Sequence, residues 1–394
     1  MDGNYTRDKL LGNTETISYE NLNLNPNVIV IGGKDTGKTS KFVIPNARWV
    51  NSRATIIVDR GYVVRNAVKE WEDISDEHSP LEEFVFDADR EDSYKFNPFT
   101  ADFGDSAVKK IRHLARAFLA ASKGVPQTQE FFSIYIALVC AVYFGVTTTL
   151  NDLQGLKDTL GMNFEEFRNL MSVFIKDAET SYESKPSFMK NLDMFINIPV
   201  KKAEVMFEHI GKGMSAFFTD GVLRMSDTQV NTLFKLDVQA FKMYVNIKPD
   251  RYDPTNCMFA VFLDAIMDRQ IFFCNDNEMD NVIAPYKHYI IDDVELIPLS
   301  PNVRKNSEVI SKLGVTTSVI ATHVNAVQPW FEKCDTVVLM GGTTDPEDLK
   351  FLSEHFDVSL DDIEKNNNVE DVLVFTKGAG MTVSRKLGDR GIWS

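Results

Sequence analysis

The sequence is poor in cysteine, in positive charge and in long apolar runs, and each shortage removes a class of protein. Its four cysteines, Cys140, Cys257, Cys274 and Cys334, stand far apart. Such scatter suggests neither a disulfide framework nor a zinc site of the C-x-x-C kind, and it suits a reducing cytoplasm. Lys and Arg number 42 against 57 Asp and Glu, a formal net charge of -15. A protein that coats nucleic acid with its whole surface needs clustered cations, so any such contact here must be local. The longest apolar run, Phe131 to Val146, falls short of the ~20 residues of a membrane-spanning helix and is expected as a buried helix. Met1 to Glu20 contains no apolar core segment, so no secretory signal is expected. Internal repeats, low-complexity tracts and long linkers are also missing.

What remains is 394 residues with 44% hydrophobic and 25% charged content, enough for a large globular domain and a smaller second one. Short β-branched runs recur: NVIVIGG from Asn27, ATIIVD from Ala54, FVFDAD from Phe84, FKMYVNI from Phe241, KHYIIDD from Lys287, TTSVIAT from Thr316, DTVVLMG from Asp335 and DVLVFT from Asp371. Most are separated by helix-compatible stretches, which predicts an α/β fold with a mainly parallel sheet. From about Ala107 to Met225 the period-two pattern stops and amphipathic or apolar helical stretches take over, as in AVKKIRHLARAFLAAS and FEEFRNLMSVFIKDAE. The spacing therefore predicts an all-α domain over 107–225, inserted into an α/β domain made of 1–106 and 226–394.

The stretch GGKDTGKT satisfies G-x-x-x-x-G-K-[ST] with Gly32, Gly37, Lys38 and Thr39, between a predicted strand and a predicted helix. That context makes it a phosphate loop, to which Gly33, Lys34, Asp35 and Thr36 also belong. Backbone N–H groups and the helix start attract phosphate, Lys38 adds a mobile cation, and the Thr39 hydroxyl suits Mg²⁺. Asp35 is out of keeping. A carboxylate roughly 5 Å from phosphate costs on the order of a few kcal/mol at an effective dielectric near 20. Pointing to solvent or pairing with Lys34, it matters by less than about 1 kcal/mol, and spacing alone leaves both orientations open. A metal-linked acid is expected at the end of another buried strand. YIIDD offers Asp292 for the metal and Asp293 to polarise an attacking water, and Asp59 competes for the metal role. The basic clusters Lys109-Lys110-Arg112 and Lys201-Lys202 read best as solvated helix faces.

With those residues in hand, the chain resembles the cytosolic part of type IV secretion coupling proteins, the TraG-like ATPases of bacterial conjugation. The resemblance runs along nearly the whole chain: NVIVIGGKDTGKT, IIVDRGYVV, YKFNPF (Tyr94 to Phe99), HYIIDDVELIPLSP and KCDTVVLMGG follow one another in the family's order. It implies a RecA-like P-loop NTPase domain interrupted by an all-α domain. It also implies ATP and Mg²⁺ as cofactors, a homo-hexamer, and relaxase or other relaxosome proteins, single-stranded DNA and secretion channel proteins as partners. The expected location is the cytoplasm at the inner face of the cell membrane, where the family usually carries an N-terminal anchor not found in these residues.

The departures from the family pattern bear on catalysis. The usual Asp-Glu pair is Asp292-Asp293, so the base is one methylene shorter, and a misplacement of about 1 Å can cost ~10²-fold in rate. Where the family has a glutamine after the next strand stands His323, with Gln328 further on. The arginine-rich segment before that strand retains only Lys312, and the family's DPKGE retains Asp59 and Arg60. Nucleotide binding is thus expected, with efficient hydrolysis the weaker expectation. The functional alternatives are a working motor and a catalytically weakened recruitment platform for relaxosome proteins. A DNA pump for chromosome segregation would share the motor core but leaves the helical insertion and FNPF unexplained.

Overall fold

The computed structural model describes residues 9–11, 16–17, 25–48, 54–75, 81–100, 107–181, 188–230, 232–233, 236, 240–275, 287–313 and 315–386. The Cys274 side chain and most of the segment searched for a secretory signal lie outside these residues. Short strands β1 (Lys9–Leu10) and β2 (Thr16–Ile17) pair with each other. The β-branched runs form β3 (Val28–Ile31), β4 (Ala54–Asp59), β5 (Glu82–Phe86), β6 (Phe241–Asn246), β7 (Lys287–Ile291), β8 (Val315–Ala321), β9 (Thr336–Met340) and β10 (Asp371–Thr376). With β11 (Gly380–Arg385) they make one sheet of order β11-β10-β9-β3-β8-β7-β4-β6-β5. From β9 across to β5 all neighbours are parallel, whereas β10 runs antiparallel to β9 and β11 to β10. The mainly parallel sheet is as expected. The terminal hairpin was not anticipated, because GMTVSR has too few large apolar residues to read as a strand.

Strands buried on both faces carry apolar residues at successive positions. Val28 and Val30 join Ile57, Ile290, Ile320 and Val338 on one face, covered by Phe42, Val43 and Val64. Ile29 and Ile31 join Ile56, Val319 and Leu339 on the other. A π-helical turn, Thr39–Val43, leads into α1 (Ile44–Arg48), and α2 (Val63–Ser75) follows β4. The opposite face is covered by a helix after β6, α10 (Pro254–Asn275), and by α11 (Pro301–Ser311) after β7. Beyond β8 and β9 lie α12 (Val324–Val327), α13 (Pro346–Phe356) and α14 (Leu360–Asn366).

The helical stretch forms as α3 (Ala107–Ala121), α4 (Gln129–Tyr143), α5 (Leu153–Leu160), α6 (Phe164–Ser181), α7 (Met189–Asn197), α8 (Val200–Gly213) and α9 (Asp220–Ser226). The apolar run is α4, buried from Phe131 to Val142. The FNPF stretch acts as a fastener, since buried Asn97 donates to the carbonyls of Asn151 at 2.9 Å and Thr228 at 3.0 Å. It thereby joins the chain entering the helical stretch to the chain leaving it. Helix α3 packs against α10, and one hydrophobic cluster runs from the sheet through α10 into the helices.

A polar seam crosses this contact. Lys109 lies 3.3 Å from Asp268, His113 Nδ1 lies 3.6 Å from the same carboxylate, and Ser300 donates to buried Asp264 at 2.9 Å. Burial, then the charges of Lys109, Arg116, Arg112 and Lys305, push the His113 pKa down to about 4. A histidine depressed below its unfolded value stabilises the fold above pH ~6.5 and loses that contribution as pH falls towards 4. In urea unfolding, His113→Gln is expected to remove on the order of 2 kcal/mol of the stability lost between pH 7 and 4.5. An unchanged acid slope in the variant would show that His113 is not the group responsible.

Candidate functional site

The phosphate loop occupies the turn between β3 and the first helix, at the C-terminal edge of the sheet where α/β folds bind ligands. Gly37 has φ +89, a left-handed conformation. Gly32 is needed for space: a Cβ there would come within 2.5 Å of Thr36 Oγ1 and 2.7 Å of Met340 Cβ. Thr36 closes the loop by donating its hydroxyl to the Gly33 carbonyl at 2.9 Å. The Lys38 ammonium donates to the carbonyls of Gly32 at 2.6 Å and Gly33 at 3.0 Å, so the mobile cation folds back over its own loop. Lys34 and Asp35 stand exposed at the tip. Asp35 adopts φ +63, a conformation that aspartate tolerates better than most residues. Its side chain faces solvent without pairing with Lys34, where its charge matters by less than about 1 kcal/mol.

Of the acids expected near a metal, Asp292 is the one that lies against the loop. Thr39 Oγ1 donates to its Oδ2 at 2.9 Å across 253 residues of sequence, which brings the end of β7 to the loop. Its other oxygen accepts the Asp293 N–H at 3.0 Å, a bond made by the left-handed turn at Asp293, φ +48. Burial, and next the adjacent Asp293 charge, push the Asp292 carboxyl up to about 7. Asp293 is partly exposed and pairs with Arg60 at 3.4 Å. A hydroxyl, a buried carboxylate and a nearby ammonium form the oxygen-donor and charge set that Mg²⁺ with phosphate requires, and a bound cation would favour the ionised carboxylate.

Asp59, the competing acid, is used otherwise. Its two oxygens accept the N–H groups of Val64 at 3.0 Å and Arg65 at 2.9 Å, which caps α2. Asp59→Ala should therefore lower stability by about 1–2 kcal/mol in urea unfolding. Nucleotide affinity should stay within about twofold of wild type, and a larger loss would return Asp59 to the metal site.

His323 follows β8, the strand between β3 and β7. Its Nδ1 is taken up by Asp345 Oδ2 at 3.1 Å and Asp348 Oδ2 at 3.3 Å. These acids also hold backbone groups, Asp345 at the start of α13 and Asp348 by accepting the Val324 N–H at 2.9 Å. Gln328 is exposed beyond α12 and, among the described residues, no contact brings it to Asp292 or the loop; Lys312 is exposed at the end of α11. In the basic clusters, Lys109 pairs with Asp268, Lys110 lies over the Tyr143 ring, and Lys202 pairs with Glu130 at 2.6 Å.

Two contributors to the loop are invisible in the sequence. Thr343 Oγ1 accepts the Gly33 N–H at 3.4 Å, and the Lys386 ammonium donates to the Thr36 carbonyl at 2.7 Å. Neither belongs to a motif that spacing could flag.

A parallel sheet with a phosphate loop after β3, an acidic pair after β7 and one strand between them is the architecture of a RecA-like P-loop NTPase. No protein-family profile matches the chain, and no curated protein matches it in sequence. Solved structures do match. The bacterial conjugative coupling protein TrwB in its unbound form superposes with a TM-score of 0.67 at 10% identity, covering 96% of this chain and 88% of that one. TrwB in complex with the non-hydrolysable GTP analogue GDPNP gives 0.66 at 12% identity over 98% and 96%. VirB4 of Thermoanaerobacter pseudethanolicus gives 0.56 at 15% identity over 92% and 89%. The fold is that of the TrwB coupling proteins.

Proposed function

We propose that the chain is a nucleotide-driven coupling subunit of a conjugative type IV secretion system. In this reading it binds ATP with Mg²⁺ at Gly32 to Thr39, forms a homo-hexamer at the inner face of the cell membrane, recruits relaxase-bound DNA and helps move single-stranded DNA into the secretion channel. The observation that carries it is the Thr39–Asp292 hydrogen bond, which joins a phosphate loop to a buried acid as a triphosphate and its metal require. The TrwB likeness supports it, since TrwB has been solved with ADP and Mg²⁺ and with the ATP analogue ADPNP. Mg²⁺, when bound, neutralises phosphate charge for attack by water. Thr39 and Asp292 would hold it, Lys38 would contact the phosphates, and Asp293 would orient the water. Residues 107–225 act as the all-α unit that contacts relaxosome proteins. Among the described residues no helix is long and apolar enough to cross a membrane.

A second reading, a recruitment platform with weak hydrolysis, is favoured by two contacts: His323 is held by Asp345 and Asp348, and Asp293 by Arg60. Steady-state ATP turnover with Mg²⁺, with and without single-stranded DNA, separates the two. A working motor turns over well above its Lys38→Ala variant and is stimulated by DNA. Turnover equal to that of the variant, with nucleotide still bound by wild type, leaves the platform reading alone.

A further inference from the structure

Lys386 reaches the phosphate loop from the hairpin at the sheet edge. Its ammonium donates to the carbonyls of Thr36 at 2.7 Å and Gly341 at 2.9 Å, the latter directly after β9. Its backbone N–H donates to the Glu370 carbonyl at 2.9 Å and extends the β10–β11 ladder by one rung, so the origin of the side chain is fixed. Partial burial holds this ammonium below the usual lysine range, with Glu370 acting in the opposite direction. A cation withdrawn from water needs acceptors, and these two carbonyls provide them.

The Thr36 carbonyl and the Gly37 N–H belong to one planar trans peptide and point to opposite sides. Fastening the carbonyl on Lys386 turns the Gly37 N–H away from the hairpin, at the start of the helix whose first donors have no backbone partner. Among the described residues the Gly37 N–H makes no hydrogen bond. We infer that Lys386 is a positioning residue of the phosphate site, clamping the Thr36–Gly37 peptide so that the Gly37 amide faces the bound phosphate and tying the loop to the end of β9. The inference rests on the nucleotide-binding reading for its ligand, and the loop itself can be probed without one. Lys38 and Lys386 thus divide the work: Lys38, resting on the Gly32 and Gly33 carbonyls, is the cation the ligand meets, and Lys386 holds the backbone that receives it.

The test compares wild type with Lys386→Met, which keeps the stem and removes the charge, and with Lys386→Arg. Hydrogen exchange on the nucleotide-free protein should be at least ~3-fold faster over the loop in Lys386→Met, with Lys386→Arg near wild type. Affinities for Mg·ADP and for inorganic pyrophosphate should each fall by about 10-fold in Lys386→Met, the scale of one charge-assisted hydrogen bond, and recover in Lys386→Arg. Equal loss for pyrophosphate, which has no base or ribose, is what a clamp on the phosphate amides requires. Loop exchange unchanged by Lys386→Met, or pyrophosphate affinity unchanged while ADP affinity falls, overturns the inference. Wild type that binds neither ligand overturns the nucleotide-binding reading, and the exchange measurement still decides the clamp.

Discussion

Lys38→Ala is expected to weaken Mg·ATP binding by on the order of 100-fold or more, the equivalent of two charge-assisted hydrogen bonds at roughly 1.5 kcal/mol each. Among the described residues the ammonium's hydrogen bonds go to loop carbonyls, 2.6 Å from Gly32 and 3.0 Å from Gly33. Those contacts keep it at the mouth of the loop, where an incoming phosphate competes for it with full negative charge. Alanine removes the cation and leaves the amides, so residual weak binding through the helix start is expected, together with near-native stability. Equilibrium dialysis with labelled ATP measures the loss. A decrease of less than about threefold would mean that Lys38 does not meet phosphate at all.

Asp292→Asn separates metal from nucleotide. The amide keeps an acceptor for the Asp293 N–H and reaches the Thr39 hydroxyl, so the turn should persist. What is lost is the carboxylate that hard cations prefer. Affinity for ATP in EDTA is expected to stay within about threefold of wild type, while the gain on adding Mg²⁺, at least ~10-fold in wild type, disappears. Because the substitution removes a buried carboxylate crowded by Asp293, the melting temperature should hold or rise, as is common where stability is given up for function. A variant that retains the full Mg²⁺ gain would move the metal to another acid.

The parts of this site that the sequence made legible are those that local chemistry encodes. The loop from Gly32 to Thr39 announces itself because the glycines and Lys38 sit at fixed spacing between a strand and a helix. The pair Asp292-Asp293 stands out because two acids directly follow the buried Tyr289, Ile290 and Ile291. Most strands of the main sheet were readable for a similar reason, being apolar enough to be buried on both faces. Asp59 stood as a competitor to Asp292 because an acid closing ATIIVD looks the same in sequence whether it holds a metal or caps a helix; in the fold its oxygens accept the Val64 and Arg65 N–H groups. Asp35 could not be oriented from spacing, and its left-handed backbone sends it to solvent. His323 follows β8, and its partners Asp345 and Asp348, which no local spacing links to it, come from the far side of β9. Lys386 and Thr343 depend on the antiparallel hairpin and the β9 turn meeting the loop, contacts set by sheet order across 350 and 310 residues of sequence.

A nucleotide-driven coupling subunit needs the amides and ammonium around Gly32 to Thr39 to seat a triphosphate. Titrating the wild-type protein with ATP in a calorimeter, in Mg²⁺ buffer, tests this most directly. Saturable heat at one nucleotide per chain is expected, with the affinity at least ~100-fold weaker in Lys38→Ala. A flat titration at millimolar ATP, from protein that is folded by circular dichroism, would contradict it.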